Sequence, residues 1–171
     1  MERPGEVTFQ GSPLTAMGPR LKVGDKAPDF QLLANDLSAV SLSDSAGKVR
    51  LISAVPSLDT PVCDMETRKF IGQLDALGDS VIGYTVSADL PFAQARWCGA
   101  AGIKRMRTLS DHRAMAFGDA YGTHIKELRL ESRAVFVVDR GGVIRHVEYV
   151  KEITSEPDYE TALRMLKSVL A

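Results

Sequence analysis

Two cysteines, Cys63 and Cys98, are the residues whose chemistry stands out in this chain. Two thiols among 171 residues are too few for the disulfide framework of a small secreted domain. Their wide separation also excludes the C-x-x-C motif of dithiol reductases. The sequence therefore indicates thiol chemistry at one or both cysteines, and the alternatives are two buried apolar thiols or a single structural disulfide.

Cys63 follows a segment typical of a helix N-terminus. Thr60 has the form of an N-cap residue and Pro61 favours the first helical position, which places Cys63 in the first turn. The free N–H groups of that turn favour the thiolate, the nucleophilic form of cysteine. Because a surface helix terminus contributes only about 0.3 to 1 kcal/mol, we expect a cation from elsewhere in the fold to assist it.

An arginine is the natural source of that cation, since an opposite charge within a few ångströms strongly favours an ionised group. Arg133 begins a predicted strand, and strand ends and adjoining loops converge on one edge of an α/β sheet. We therefore expect Arg133 to contact Cys63, with Arg68 and Arg113 as the alternatives.

The elements that must position these residues alternate along the chain. The segment 49–55 (VRLISAV) is nearly apolar throughout and predicts a central strand buried on both faces, which Pro56 ends. Residues 1–20 predict an N-terminal hairpin. The other predicted strands cover 30–33, 80–86, 106–109, 134–138 and 143–149, and the predicted helices cover 61–77, 90–98 with Gly99 as C-cap, 114–121 and 158–170.

Strands that alternate with helices predict an α/β fold. We expect one domain over residues 1–171, with 1–20 as a hairpin extension. Its central mixed β-sheet is expected to be mostly parallel and covered by helices on both faces, with one antiparallel edge strand supplied by the hairpin at 134–149.

The composition excludes several classes of function. Lysine and arginine number 21 against 22 acidic residues, so neither nucleic acid nor an anionic membrane is an expected partner. The sequence has neither a secretion signal nor an apolar run long enough to span a bilayer, and a soluble cytoplasmic protein is expected. His112, His124 and His146 show no metal-ligand spacing, and no nucleotide-binding glycine motif occurs, so neither a metal nor a cofactor is expected.

The segment around Cys63 resembles a known active-site motif. Pro56-x-x-x-Thr60-x-x-Cys63 is similar to the motif of the peroxiredoxins, and the full string PSLDTPVC resembles the bacterial thiol peroxidase branch, whose members are atypical two-cysteine peroxiredoxins. The resemblance extends over nearly the whole chain through GDKAPDF at 24–30, SADLPFAQARWCG at 87–99 and RAVFVVD at 133–139.

The resemblance implies a thioredoxin-like fold and a thiol-dependent peroxidase that serves in antioxidant defence. Cys63 is then the peroxidatic cysteine and Cys98 the resolving cysteine, joined in an intramolecular disulfide. Pro56 is expected to shield the pocket, Thr60 to hydrogen-bond the sulfur and the peroxide, and Arg133 to hold the thiolate. The resemblance also implies hydroperoxide substrates with alkyl hydroperoxides preferred, thioredoxin as the reductant, and a homodimer.

A disulfide between two separate helices requires movement, because its Cα atoms must lie within about 7 Å of each other. We therefore expect the first turn around Cys63 and the end of the helix bearing Cys98 to unwind locally after oxidation. Two other functions remain open at this stage, a redox sensor that uses the same disulfide and a thioredoxin-fold scaffold with inert thiols.

Overall fold

The computed structural model describes residues 1–101 and 105–171. Its strands are β1 (Glu2–Phe9), β2 (Ser12–Met17), β3 (Gln31–Leu33), β4 (Ala39–Ser41), β5 (Val49–Ala54), β6 (Val81–Ser87), β7 (Met106–Ser110), β8 (His124–Ile125), β9 (Leu130–Glu131), β10 (Ala134–Val138) and β11 (Ile144–Tyr149). Its α-helices are α1 (Pro61–Leu77), α2 (Pro91–Ala101), α3 (Ala116–Tyr121) and α4 (Tyr159–Leu170). Among these residues, no helix combines the length and the apolar character needed to cross a bilayer.

The main sheet has the strand order β11-β10-β5-β6-β7-β3-β4 and is mixed, which confirms the expected α/β fold. Among the described strands of this sheet, only the neighbouring pairs β5–β6 and β6–β7 are parallel, so the expectation of a mostly parallel sheet is wrong. β10 lies beside β5 and runs antiparallel to it, with Ala134 opposite Ala54. β11 lies at the edge of the sheet and runs antiparallel to β10, as expected of the late hairpin. Because β10 is also antiparallel to β5, its first residue lies next to the carboxyl end of β5.

β5 is buried along its whole length, as its apolar sequence predicts. Alternate residues point to opposite faces of the sheet. Ile52 joins a core with the aromatic side chains of α3, whereas Leu51 joins a second core with Phe70 of α1 and Leu166 of α4. The sheet is therefore covered on both faces, and α1 is held rigidly over the strand that leads into it.

The N-terminal hairpin forms as expected, with Phe9 paired to Ser12 across the turn. It continues into a second, small sheet of order β1-β2-β8-β9, because β2 pairs with β8. β4, β8 and β9 have only two or three residues each and are not predicted from the sequence. The hairpin also bonds the segment after β11, because the N–H of Thr8 donates to the Lys151 carbonyl and the N–H of Ile153 donates to the Thr8 carbonyl.

Two helix boundaries differ from the expectation. α2 continues through Gly99 to Ala101, so Gly99 lies inside the helix and is not its C-cap. α3 begins at Ala116 and not at Ala114, because Met115 adopts a left-handed conformation with φ of 51° that a helix cannot contain.

Candidate active site

Cys63 lies in the first turn of α1, as its sequence context predicts, with Thr60 at the N-cap position and Pro61 as the first helical residue. Its side chain is fully buried. The Thr60 hydroxyl does not cap the helix and donates instead to the carbonyl oxygen of Ser57 at 2.9 Å. The first-turn N–H groups therefore have no side-chain cap and are free to face negative charge that develops near the sulfur.

Arg133 contacts Cys63 from the start of β10. Its Nη2 donates to Cys63 Sγ at 3.2 Å, and its Nε and Nη2 both donate to the Ile153 carbonyl oxygen, at 3.1 and 2.8 Å. This contact depends on the antiparallel pairing of β10 with β5, which brings residue 133 to the strand end where the loop to Cys63 begins. The other two candidate cations, Arg68 and Arg113, are exposed at other places on the surface.

Two buried residues that the sequence analysis missed complete this cluster. Arg133 Nη1 donates to Glu66, and the Ser53 hydroxyl donates to the other oxygen of the same carboxylate at 2.7 Å. Glu66 follows Cys63 by one helical turn, so the helical spacing of an acidic residue on the buried face is the signal that could have found it. Ser53 carries no comparable signal, because a serine in a buried strand is usual.

The charges of this cluster depend on one another. Burial raises the pKa of Glu66, and the Arg133 guanidinium acts against that rise. Burial also opposes the charge on Arg133, but the adjacent Glu66 and Cys63 together raise the Arg133 pKa. Arg133 is therefore held as a cation whose position is fixed by Glu66, by the Ile153 carbonyl and by the cysteine sulfur.

A pocket of about 140 Å³ opens beside this cluster. Pro56, Thr60 and Arg133 all line it, so the structure brings these three expected site residues together. The remaining lining residues are Phe9, Pro61, Val62, Ile153 and Thr154, of which Phe9 comes from the N-terminal hairpin. Cys63 does not line the pocket, but Arg133 does, so a molecule in the pocket lies beside the residue that contacts the buried sulfur.

Cys98 lies in the last turn of α2 and is partly exposed. Its Sγ is 3.1 Å from the Thr108 hydroxyl on β7, and that hydroxyl donates to Asn35 Oδ1 at 2.8 Å. Both Cys98 and Cys63 are free thiols. Cys98 is thus hydrogen-bonded to Thr108 on β7, whereas Cys63 is hydrogen-bonded to Arg133 before β10. The two thiols therefore lie in separate surroundings.

The described residues contain no group of three histidine, cysteine or acidic side chains that could hold a metal ion. His124 instead pairs with Asp119 at 2.7 Å, and burial lowers the pKa of His146.

Comparisons with known proteins agree on one family. The model of the Redoxin family matches residues 22–163. The thiol peroxidase of Halalkalibacterium halodurans is 57% identical over 164 residues, which are 96% of this chain and 98% of that protein. The thiol peroxidase of Bacillus subtilis is 54% identical over 165 residues, with coverages of 96% and 98%.

The solved structures give the same result for the fold. A peroxiredoxin-like protein from Aquifex aeolicus has a TM-score of 0.88 at 38% identity, and the likeness covers 98% of this chain and 99% of that one. This similarity confirms the expected thioredoxin-like arrangement of a central mixed sheet flanked by helices, with the N-terminal hairpin attached to it.

Proposed function

The chain belongs to the Redoxin family, among the bacterial thiol peroxidases, and on that basis we propose that it reduces hydroperoxides through Cys63 and recycles through Cys98. The family makes the chain a thiol-dependent peroxidase. The contact of Arg133 Nη2 with Cys63 Sγ at 3.2 Å is the observation that supports Cys63 as the attacking residue. A guanidinium at this distance favours the thiolate over the thiol.

In the first step, the Cys63 thiolate attacks one oxygen of the peroxide bond. A sulfur–oxygen bond forms, the oxygen–oxygen bond breaks, and the leaving oxygen takes up a proton to give an alcohol or water. Cys63 becomes a sulfenic acid. Because negative charge moves from the sulfur to the leaving oxygen, Arg133 and the uncapped N–H groups of α1 stabilise the start and the end of this transfer.

The buried partners of Arg133 hold it in the position that this step requires. Glu66 and the Ile153 carbonyl bind the guanidinium from two sides, and Ser53 fixes the carboxylate of Glu66. A donor that is already oriented costs no reorganisation during the reaction. In this arrangement Thr60 and Pro56 line the approach, and we assign Thr60 to contact the peroxide and Pro56 to shield the pocket from water.

In the second step, the Cys98 thiol attacks the sulfur of the sulfenic acid. The disulfide forms and the hydroxyl group leaves as water with the thiol proton. Cys63 is fully buried and Cys98 is hydrogen-bonded to Thr108. The first turn of α1 and the end of α2 must therefore unwind before the two thiols can meet. A dithiol of thioredoxin then reduces the disulfide and is itself oxidised.

The pocket also supports a preference among peroxides. Phe9, Val62 and Ile153 give it a largely apolar wall, and its volume of about 140 Å³ accepts a short organic chain. Burying such a chain is favourable by roughly 0.8 kcal/mol per CH₂ group. We therefore propose alkyl hydroperoxides as the preferred substrates.

The proposal includes a homodimer and a cytoplasmic location. Leu90 and Phe92 are exposed large apolar side chains at the start of α2, and Asp89 beside them binds the loop that precedes Cys63. Exposed apolar residues grouped near a site are typical of protein interfaces. A cytoplasm keeps thiols reduced, which is the state in which Cys63 reacts.

A coupled assay tests the proposal. It follows the consumption of peroxide and the oxidation of reduced thioredoxin in parallel. Cys63→Ser is expected to abolish both. Cys98→Ser is expected to keep one stoichiometric oxidation and to lose sustained turnover, because the sulfenic acid then has no partner. Sustained, thioredoxin-supported turnover by Cys98→Ser would exclude Cys98 as the resolving residue, and a fully active Cys63→Ser would exclude the mechanism.

A further inference from the structure

The residues next to the two cysteines bind each other. Asp64 follows Cys63, and Trp97 precedes Cys98. The indole Nε1 of Trp97 donates to Asp64 Oδ1 at 2.6 Å, which is short for a hydrogen bond to a carboxylate. Since these residues lie on α2 and α1, this bond connects the two helix ends that carry the reactive thiols.

Arg68 strengthens the same contact from one turn further along α1. Its Nε donates to both carboxylate oxygens of Asp64 at 3.0 Å, and its guanidinium lies over the Trp97 ring with 5.2 Å to the centroid. Partial burial acts to raise the pKa of Asp64, but the hydrogen bonds from Arg68 and Trp97 lower it below its ordinary value. The carboxylate is therefore charged when it binds the indole.

The Trp97 ring also covers the sulfur side of the site. It packs against a cluster formed by Val55, Leu58 and Cys63. The indole thus helps to bury Cys63, which is fully inaccessible to solvent. Cys98 is adjacent in the chain, so any movement that brings Cys98 to Cys63 displaces the indole from this position.

We propose that Asp64, Arg68 and Trp97 form a clasp that keeps the two helix ends folded and thereby limits the rate of disulfide formation. The proposal rests on the proposed function, in which Cys98 resolves the Cys63 sulfenic acid with release of water. The clasp must open before the two sulfur atoms meet. It therefore determines how long the sulfenic acid persists, and how readily a second peroxide oxidises it further to the sulfinic acid.

Trp97→Phe isolates the central bond of the clasp. Phenylalanine keeps an aromatic ring against Cys63 and removes the N–H donor, while the partly exposed Asp64 carboxylate keeps Arg68 and gains water. We expect disulfide formation to become about tenfold faster, the change that corresponds to about 1.4 kcal/mol of barrier. The preceding attack on peroxide is expected to change by no more than about twofold, because Arg133 is untouched.

Two variants on α1 calibrate that result. In Asp64→Asn the amide oxygen still accepts from the indole but carries no charge, so disulfide formation is expected to accelerate by a smaller factor than in Trp97→Phe. Asp75→Asn is the matched control, because Asp75 is an exposed acidic residue on the same helix outside the clasp. Its rate is expected to equal that of the wild type.

The two steps are measured separately in single turnovers with one equivalent of peroxide. Samples quenched with a sulfenic-acid trap and a thiol alkylating reagent are counted by mass spectrometry as thiol, sulfenic acid or disulfide. A disulfide rate in Trp97→Phe that equals or falls below the wild-type rate overturns the clasp. Failure of the proposed function gives a different result, since no sulfenic acid is then trapped at Cys63 in any variant, including Cys98→Ser.

The wild-type protein supplies an independent measurement, because Trp97 is its single tryptophan. The indole is expected to leave its packed position in the disulfide form, so its emission should shift to longer wavelength on oxidation. The shift should reverse when the disulfide is reduced. Identical emission of the two forms contradicts the proposal, because the ring would then remain in place while the thiols join.

Discussion

Replacing Arg133 with methionine tests the catalytic role that we propose for this residue separately from its structural role. Methionine fills a similar volume but donates no hydrogen bond, so Cys63 loses its cation and Glu66 becomes a buried carboxyl without a counter-charge. Both losses occur in one substitution. Their consequences differ in kind, since one affects the rate of peroxide reduction and the other the free energy of unfolding.

The loss of stability follows from breaking a buried ion pair, and the loss of rate follows from removing an oriented donor. Removing one partner of a buried ion pair costs about 3 to 5 kcal/mol of stability. Removing an oriented donor from a site of developing charge lowers the rate by about 10² to 10³. Without the Arg133 cation, burial raises the pKa of Glu66 still further, so the folded variant holds a proton that the unfolded chain releases. Its stability is therefore expected to fall as the pH rises above about 4.3.

The double variant Arg133→Met/Glu66→Gln distinguishes the two roles. Glutamine carries no charge, so no uncompensated charge stays buried, and its amide keeps hydrogen-bonding capacity for Ser53. Most of the lost stability is expected to return. Activity is expected to stay about 10² to 10³ below the wild type, because neither residue replaces the donor to Cys63.

Urea unfolding at pH 5 and pH 8 measures the stabilities, and single-turnover oxidation of Cys63 measures the rate. If the double variant regains wild-type oxidation rates together with its stability, Arg133 acts only as the structural partner of Glu66. That outcome would refute the role of the guanidinium in the first chemical step.

Two further substitutions test features outside this cluster. Burial and the nearby Asp111 carboxyl raise the pKa of Glu131, so the native state holds a proton and its stability is expected to fall as the pH rises above about 4.3. Glu131→Gln is expected to flatten this pH dependence in thermal melts between pH 5 and pH 8. Equal slopes for the variant and the wild type would contradict the assignment. Gly99→Ala is expected to stabilise α2 by about 0.5 to 1 kcal/mol and to slow disulfide formation about two- to fivefold in the single-turnover assay. An unchanged rate would show that this helix end stays folded while the disulfide forms.

The sequence predicts the start of α1 correctly because the signal is local. Thr60 and Pro61 restrict their own backbone, and Gly78 ends the helix at the residue where it is expected. The hairpin at the N-terminus and the buried strand β5 are predicted for the same reason. Local chemistry therefore places Cys63 correctly, and it does so without information about the rest of the fold.

Strand orientation and buried polar partners are not encoded locally. A strand buried on both faces is apolar whether its neighbours run parallel or antiparallel, so the position of β10 beside β5 follows only from tertiary packing. Glu66 is similar, because a glutamate in a helix is ordinarily on the surface. Its burial is compensated by Arg133 and Ser53, which hydrogen-bond its carboxylate in the folded chain.

The expected end of α2 at Gly99 is wrong for another reason, since a glycine near a helix end is the usual C-cap signal.

The two helix ends for which we propose unwinding are intrinsically weak, whereas the buried cluster around Arg133 is held by several hydrogen bonds. α1 begins without a side-chain cap, and such a cap would contribute about 1 kcal/mol. α2 contains Gly99 near its end, which costs about 0.5 to 1 kcal/mol relative to alanine. Arg133, by contrast, directly precedes β10 and is held by Glu66 in the second turn of α1. Unwinding of α1 breaks the contact between Cys63 and Arg133, and in the proposed clasp the hydrogen bond between Trp97 and Asp64 opposes it as well. Because the helix ends themselves resist little, these side-chain contacts are the restraints that set the cost of unwinding.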